Sequence, residues 1–269
     1  MSSFRDSIVL ITGGASGIGK LMGELSLQRG ARTLVIWDRD PEGLDKVVKD
    51  FTAKGWNVLG QRVEVTDLSE IQRAARELEA KFGGVDILIN NAGIVVGKDF
   101  EEHDHVEIDR TMRVNALAPM HVTREFLPGM LSRGKGHVVN IASAAGMTPN
   151  PKMSVYVASK FAVVGWSDSL RIELERKPGN LHVTTVTPFY INTGMFHGVT
   201  SPIVPILDPV RAATKIIRAT EKDRIWCRMP GIVYAIPLFK GILPQRWFDV
   251  IVGKWFGIYR SMEDFKGRG

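Results

Sequence analysis

The sequence predicts an α/β fold: a single doubly wound parallel sheet flanked by helices, followed by an irregular C-terminal extension. Three observations lead there. Short apolar runs alternate with helix-period segments through about the first 190 residues. The runs are apolar at successive positions, as in strands covered on both faces, and each parallel crossover needs a helical connection. No Pro/Gly/Ser linker, repeat or low-complexity tract divides this region. One domain at residues 1–228, including a substrate loop at about 189–208, is therefore expected, with residues 229–269 as a basic, aromatic extension packed on it.

Ser7 to Thr12 reads as the first strand, and a glycine-rich turn leads into a helix from Ile18 to about Arg29. Arg32 to Trp37 is the second strand. Pro41 opens a helix to about Ala53, as proline does at a first helical position. Val58 to Val65 is the third strand, and Ser69 is read as the cap of a helix reaching about Phe82. Val85 to Asn90 and His137 to Ile141 follow as strands, separated by helical sequence between about Glu107 and Ser132. A long helix from Ser154 to about Arg176 precedes a last strand, Leu181 to Thr187, after which regularity fades. Tyr190 to Asp208, rich in Gly, Pro and Thr, has the composition of an active-site loop or a plain surface loop.

Of 269 residues, 44% are hydrophobic and 24% charged, the balance of a globular domain and not of a disordered chain. The single cysteine, Cys227, excludes an internal disulfide and a Cys-rich metal site and suits a reducing compartment, so a cytoplasmic location is expected. The net charge of +6 is local: from Arg211 onward there are 12 basic and 5 acidic residues, which leaves 23 − 24 = −1 before it. The longest late apolar stretch, Met229 to Phe239, contains two prolines and is too short for a bilayer span of about 20 residues. The six histidines form no H-E-x-x-H, and no metal is expected.

Thr12-Gly13-Gly14-Ala15-Ser16-Gly17-Ile18-Gly19 lies between the first strand and first helix, where backbone amides and the helix dipole receive a pyrophosphate. Its glycines permit a tight turn, although their spacing departs from G-x-G-x-x-G. Asp38 ends the second strand 19 residues past Gly19 and suits the ribose hydroxyls of an adenosine. A carboxylate there repels a 2′-phosphate, which favours NAD over NADP, while Arg39 beside it pulls the other way. Tyr156 and Lys160, four apart in a helical stretch, project from one face as a proton-transfer pair, the ammonium favouring phenolate.

Together these residues resemble the short-chain dehydrogenase/reductase family over about residues 7 to 195. The resemblance rests on TGGASGIG at 12–19, Asp67, Asn90-Asn91-Ala92-Gly93, Asn115, Ser143, Tyr156-x-x-x-Lys160 and Thr193 after Pro188. It implies a Rossmann-type sheet, a nicotinamide cofactor and a catalytic tetrad of Asn115, Ser143, Tyr156 and Lys160. In these roles Ser143 bonds the substrate oxygen and Tyr156 takes its proton. Lys160 holds the ribose, and Asn115 fixes a water that relays the proton. Cofactor contacts are implied for Gly13, Ser16, Gly17, Ile18, Gly19 and Asp38. The same holds for Asp67 and Leu68 at the adenine, Asn91, Ala92 and Gly93 behind its ribose, and Ile191 and Thr193 at the carboxamide. Phe189 stands where the family often has glycine after the proline. Pro188 to Phe196 and Ser261 to Arg268 look like the subgroup of retinol dehydrogenases and 17β-hydroxysteroid dehydrogenases, and the family's habit implies a homodimer or homotetramer.

Val95, Val96, Met147, Met153, Tyr190, Met195 and Phe196 surround the expected reaction centre, so a bulky, lipophilic alcohol or ketone is the expected substrate. A non-catalytic NAD-sensing regulator is the alternative from another class. A hydrolase is excluded because Ser143 lies in no G-x-S-x-G elbow, and the basic tail holds no nucleic-acid-binding motif, so no nucleic-acid partner is expected. The tail from Met229 to Tyr259 is read three ways: a lid whose Trp and Phe residues close the pocket, a peripheral membrane contact with Lys240, Arg246 and Lys254 facing outward, or an interface.

Overall fold

The structure, a computed structural model, describes residues 1–201 and 203–267. In chain order its first half runs β1 (Ile8–Thr12), α1 (Gly17–Gln28), β2 (Thr33–Asp38), α2 (Pro41–Ala53), β3 (Val58–Arg62), α3 (Leu68–Phe82), β4 (Ile87–Asn90) and α4 (His105–Met112). It continues with α5 (Ala118–Arg133), β5 (Lys135–Ile141), α6 (Ser154–Glu175), β6 (Asn180–Pro188), α7 (Pro209–Glu221), β7 (Trp226–Met229), α8 (Ile236–Ile242) and α9 (Gln245–Phe248). Among the described residues the strands form one seven-stranded sheet in the order β3-β2-β1-β4-β5-β6-β7, every neighbouring pair parallel. The order reverses between β1 and β4, and the crevice at the carboxyl ends of the strands there is where such sheets bind ligands.

Both faces of each central strand are buried, which is why the runs look continuously apolar. Val9 and Ile11 of β1 pack on one side with Met22, Leu34 and Phe51, beneath α1, α2 and α7. Ile8 and Leu10 pack on the other with Trp37, Leu78 and Phe126, beneath α3, α5 and α6. Each such buried side chain contributes about 1.5–3 kcal/mol of transfer free energy.

Several boundaries differ from the sequence reading. The cap of α3 is Asp67, not Ser69: its Oδ1 accepts from the Ser69 and Glu70 amides at 2.8 and 3.2 Å. The third strand stops at Arg62, because its ladder with β2 ends at Asp38. The helical sequence after Glu107 is two helices joined by a wide π-type turn, Arg113–Leu117. Regularity does not end at Pro188: α7, capped by Asp208 with Pro209 at its first position, and β7 add a further crossover. Only four residues of β7 pair with β6, too few for a periodic signal to stand out.

Candidate active site

The β1–α1 turn is built around glycine. Gly13 has φ +64°, and its amide donates to the Trp37 carbonyl at 2.7 Å. A Cβ on Gly19 would collide with the Gly13 carbonyl oxygen and lie 2.6 Å from Asn91 Nδ2. The start of α1 is open: Ser16, at its cap position, makes no side-chain cap, and the first turn holds no acid. Asp caps serve α2, α3 and α7. Ser16, Gly17, Ile18 and Gly19 at this helix start line the cavity, and the amides of a helix's first turn suit an anionic pyrophosphate.

Asn91 ties β4 to this turn. Its Nδ2 donates to the carbonyls of Thr12 and Gly13 at 3.0 and 2.9 Å, while Thr12 Oγ1 accepts from the amides of Asn91 and Ala92 at 3.0 and 3.1 Å. At the end of β2 the Asp38 carboxylate accepts from the amides of Ala15 and Asp40 at 3.0 and 3.1 Å.

On the other side of the crevice, α6 presents Tyr156 and Lys160 from one face, each only 5% exposed. Lys160 Nζ donates to the Ile141 carbonyl at 2.9 Å and stands 5.6 Å from the centre of the Tyr156 ring. Gly146 lets the turn carrying Ser143 lie directly on α6, since a Cβ there would be 2.7 Å from the Lys160 carbonyl oxygen. Burial pushes the Tyr156 phenol above its ordinary value, and hydrogen bonding to Ser143 acts against that rise. Burial also lowers Lys160 to about 8. In the cofactor-free chain, desolvation of the anion is the largest influence on the phenol.

These groups share one cavity of about 620 Å³. Its walls include Gly13, Ser16, Gly17, Ile18, Gly19, Asp38, Asn91, Ala92 and Gly93, and then Ser143, Tyr156, Lys160, Ile191 and Thr193. Val95, Val96, Met153, Tyr190, Met195 and Phe196 line the same space. A family model, short chain dehydrogenase, matches residues 7–203. The chain belongs to the short-chain dehydrogenase family. Mouse (Mus musculus) epidermal retinol dehydrogenase 2 is 36% identical over 266 residues, covering 97% of this chain and 85% of the relative. Estradiol 17-beta-dehydrogenase 11 of Pongo abelii is 31% identical over 253 residues, covering 94% and 84%. Among solved structures, a short-chain dehydrogenase/reductase from Burkholderia phymatum in complex with NAD superimposes with a TM-score of 0.81 at 27% identity, covering 94% of this chain and 97% of that one. A short-chain dehydrogenase from Burkholderia cenocepacia in complex with NADP has a TM-score of 0.80 at 25% identity, covering 93% and 99%.

Four expected residues of this short-chain dehydrogenase do not lie on the cavity wall. Asp67 is occupied as the α3 cap, and Leu68 beside it is 44% exposed. Glu64 and Val65, nearer the carboxyl end of β3, line the cavity in their place. Met147 turns away with the Ala144–Gly146 helical turn and packs with Ala144 and Val233 under the tail. Asn115 sits behind the wall and braces it: the π-type turn aims its amide at Ile94, whose N–H it accepts and whose carbonyl it bonds, both at 2.9 Å. Its Nδ2 also donates to Ser159 Oγ at 3.1 Å.

The lining also includes residues the sequence reading missed: Thr148, Asn150, Phe189, Ile258, Phe265 and Lys266. Position at the end of a strand was the available signal for Glu64 and Val65, and the subgroup-like stretch from Ser261 was the signal for Phe265 and Lys266; nothing local marks Ile258. The tail therefore contributes to the wall through its last turns and not through Trp247 and Trp255, which are 65% and 70% exposed. Arg268, in the subgroup-like stretch, lies outside the described residues.

Proposed function

We propose that this short-chain dehydrogenase interconverts a bulky, apolar secondary alcohol and its carbonyl compound, using NAD(H). The observation that supports it is the union, in one cavity, of an uncapped helix terminus, the Asp38 carboxylate, the Tyr156/Lys160/Ser143 group and an apolar wall. A nicotinamide cofactor, when bound, supplies the acceptor or donor of the hydride. Gly17 to Gly19 would hold its pyrophosphate by their amides, and Asp38 would take its adenosine ribose, with lone pairs left beyond the two amides it already accepts. That carboxylate is the reason for choosing NAD, since a 2′-phosphate would be repelled.

The chain's own groups move the proton. Tyr156, buried and kept neutral, holds the hydroxyl proton that a carbonyl oxygen requires on reduction, and as phenolate it takes that proton on oxidation. Ser143 donates a hydrogen bond to the same oxygen. Lys160, titrating near 8, sets a positive charge close to the phenol that favours the phenolate as it forms. Asn115 positions the wall by fixing Ile94. Tyr156 packs in one cluster with Met153, Tyr190 and Met262, with Phe196 against it, a surround that suits a lipophilic body with few polar anchors. The names of two relatives, a retinol and an estradiol dehydrogenase, support a lipophilic alcohol; the hydroxyl is primary in retinol and secondary in estradiol, so the choice of a secondary alcohol rests on the second name alone.

The test follows NADH absorbance with purified protein over a panel of lipophilic and polar alcohols, each with NAD and with NADP. Turnover of large apolar secondary alcohols with NAD is expected. Reaction of small polar alcohols alone overturns the substrate reading, and equal efficiency with NADP overturns the cofactor choice. Binding of NAD without turnover of any alcohol or carbonyl favours a sensor.

A further inference from the structure

The segment from Pro230 to Phe256 is rich in large apolar residues, of which only some are covered. It is anchored by Val233, Phe248 and Val252, which are 1%, 0% and 8% exposed and pack against Phe189, Ile236 and Met147. It leaves Ile232, Leu238, Ile242, Trp247 and Trp255 exposed, Ile242 and Trp255 each to 70%. A helical segment apolar all round is normally enclosed, and a contiguous exposed apolar patch marks an interaction surface. Among the described residues no helix is long and apolar enough to cross a membrane, and α8 has only seven residues.

The charges on this segment are mostly basic. It holds three basic residues, Lys240, Arg246 and Lys254, and one acid, Asp249. The acid is engaged internally, accepting from Gln245 Nε2 at 2.9 Å and the Tyr259 hydroxyl at 2.7 Å. Lys240 is drawn inward to the Met147 carbonyl and the Phe161 ring. Arg246 and Lys254 flank the exposed tryptophans and are themselves exposed. Tryptophan beside arginine and lysine, on short helices with exposed apolar residues, is the composition that settles at a headgroup boundary. Anionic headgroups complement the two exposed cations beside the tryptophans.

We propose that residues 230–256 dock this protein on an anionic lipid surface, with Trp247 and Trp255 at the headgroup boundary and Arg246 and Lys254 against lipid phosphates. The docking segment and the cavity are joined physically. Phe189 packs on the tail cluster of Phe248 and Val252 and on the cavity cluster of Met153 and Tyr156, and the chain continues from Phe256 into the cavity-lining Ile258 and Phe265.

The test is sedimentation of the full chain with vesicles of phosphatidylcholine, with and without phosphatidylglycerol. Binding is expected to increase with phosphatidylglycerol, fall with added salt, and bring quenching of tryptophan emission by brominated lipid chains. The double variant Trp247→Glu/Trp255→Glu is expected to partition at least tenfold more weakly, about 1.4 kcal/mol. Arg246→Glu/Lys254→Glu alters only exposed charges, so it tests the idea even if the tryptophan variant folds poorly. It is expected to lose the phosphatidylglycerol-dependent part while keeping the wild-type unfolding midpoint and lipid-free turnover. Wild-type protein that stays in the supernatant with both vesicles overturns the proposal. So does vesicle binding that both variants retain in full, or a dimer that both variants dissolve without any vesicle binding.

Discussion

Replacing Lys160 by methionine should make the cofactor-free protein more stable while abolishing its activity. The ammonium is 5% exposed, and burial lowers its value from 10.5 to about 8. At about 1.4 kcal/mol per unit, holding the charge inside costs the folded state about 3 kcal/mol at neutral pH. Methionine has similar length and no charge; it forfeits the bond to the Ile141 carbonyl, which returns about 1 kcal/mol. The net expectation is a gain of about 2 kcal/mol at pH 7. The pH dependence has a definite sign. Because the folded value lies below the unfolded one, the unfolded chain binds the extra proton between about 8 and 10.5, so wild-type stability rises over that window. The cost is present in full below about pH 8, and the gap between variant and wild type should close toward pH 10. Urea denaturation of both proteins at pH 7, 8, 9 and 10 measures it, groups common to both cancelling in the difference. A variant less stable than wild type at pH 7, or a gap that does not shrink as pH rises, refutes the reasoning.

Tyr156→Phe keeps the buried ring and removes the proton-transfer group. Turnover should fall by about two orders of magnitude or more with NAD affinity nearly unchanged, as read by NADH absorbance and calorimetric titration. Gly19→Ala sets a methyl against the Gly13 carbonyl and Asn91 Nδ2; it should cost about 1–3 kcal/mol of stability and weaken NAD binding about tenfold or more. Wild-type affinity in that variant would show that the turn yields freely. Asp38→Ala removes the carboxylate while leaving Arg39, so the ratio of kcat/KM for NADP to that for NAD should rise at least about tenfold; an unchanged ratio places the selectivity elsewhere.

The sequence alone determined whatever local chemistry dictates. Unbroken apolar runs alternating with helical spacing require a doubly covered parallel sheet, and the Gly13–Gly19 turn at the end of β1 is specified by its own residues. The four-residue spacing of Tyr156 and Lys160 put both on one side of α6 before any tertiary contact was known. Tertiary structure decided what depends on packing between distant segments. Glu64 and Val65, and not Asp67 and Leu68, line the cavity because the β2–β3 register ends the strand at Arg62 and leaves Asp67 to cap α3. Asn115 became a brace because a π-type turn rotates it toward Ile94, a feature without sequence periodicity. The phenol of Tyr156 is raised because desolvation is a property of the assembled interior, not of a neighbouring lysine. Ile258 reaches the cavity from about 100 residues beyond Tyr156. No local pattern encodes such a contact; it exists only once β7 joins the sheet and the tail folds back over Phe189.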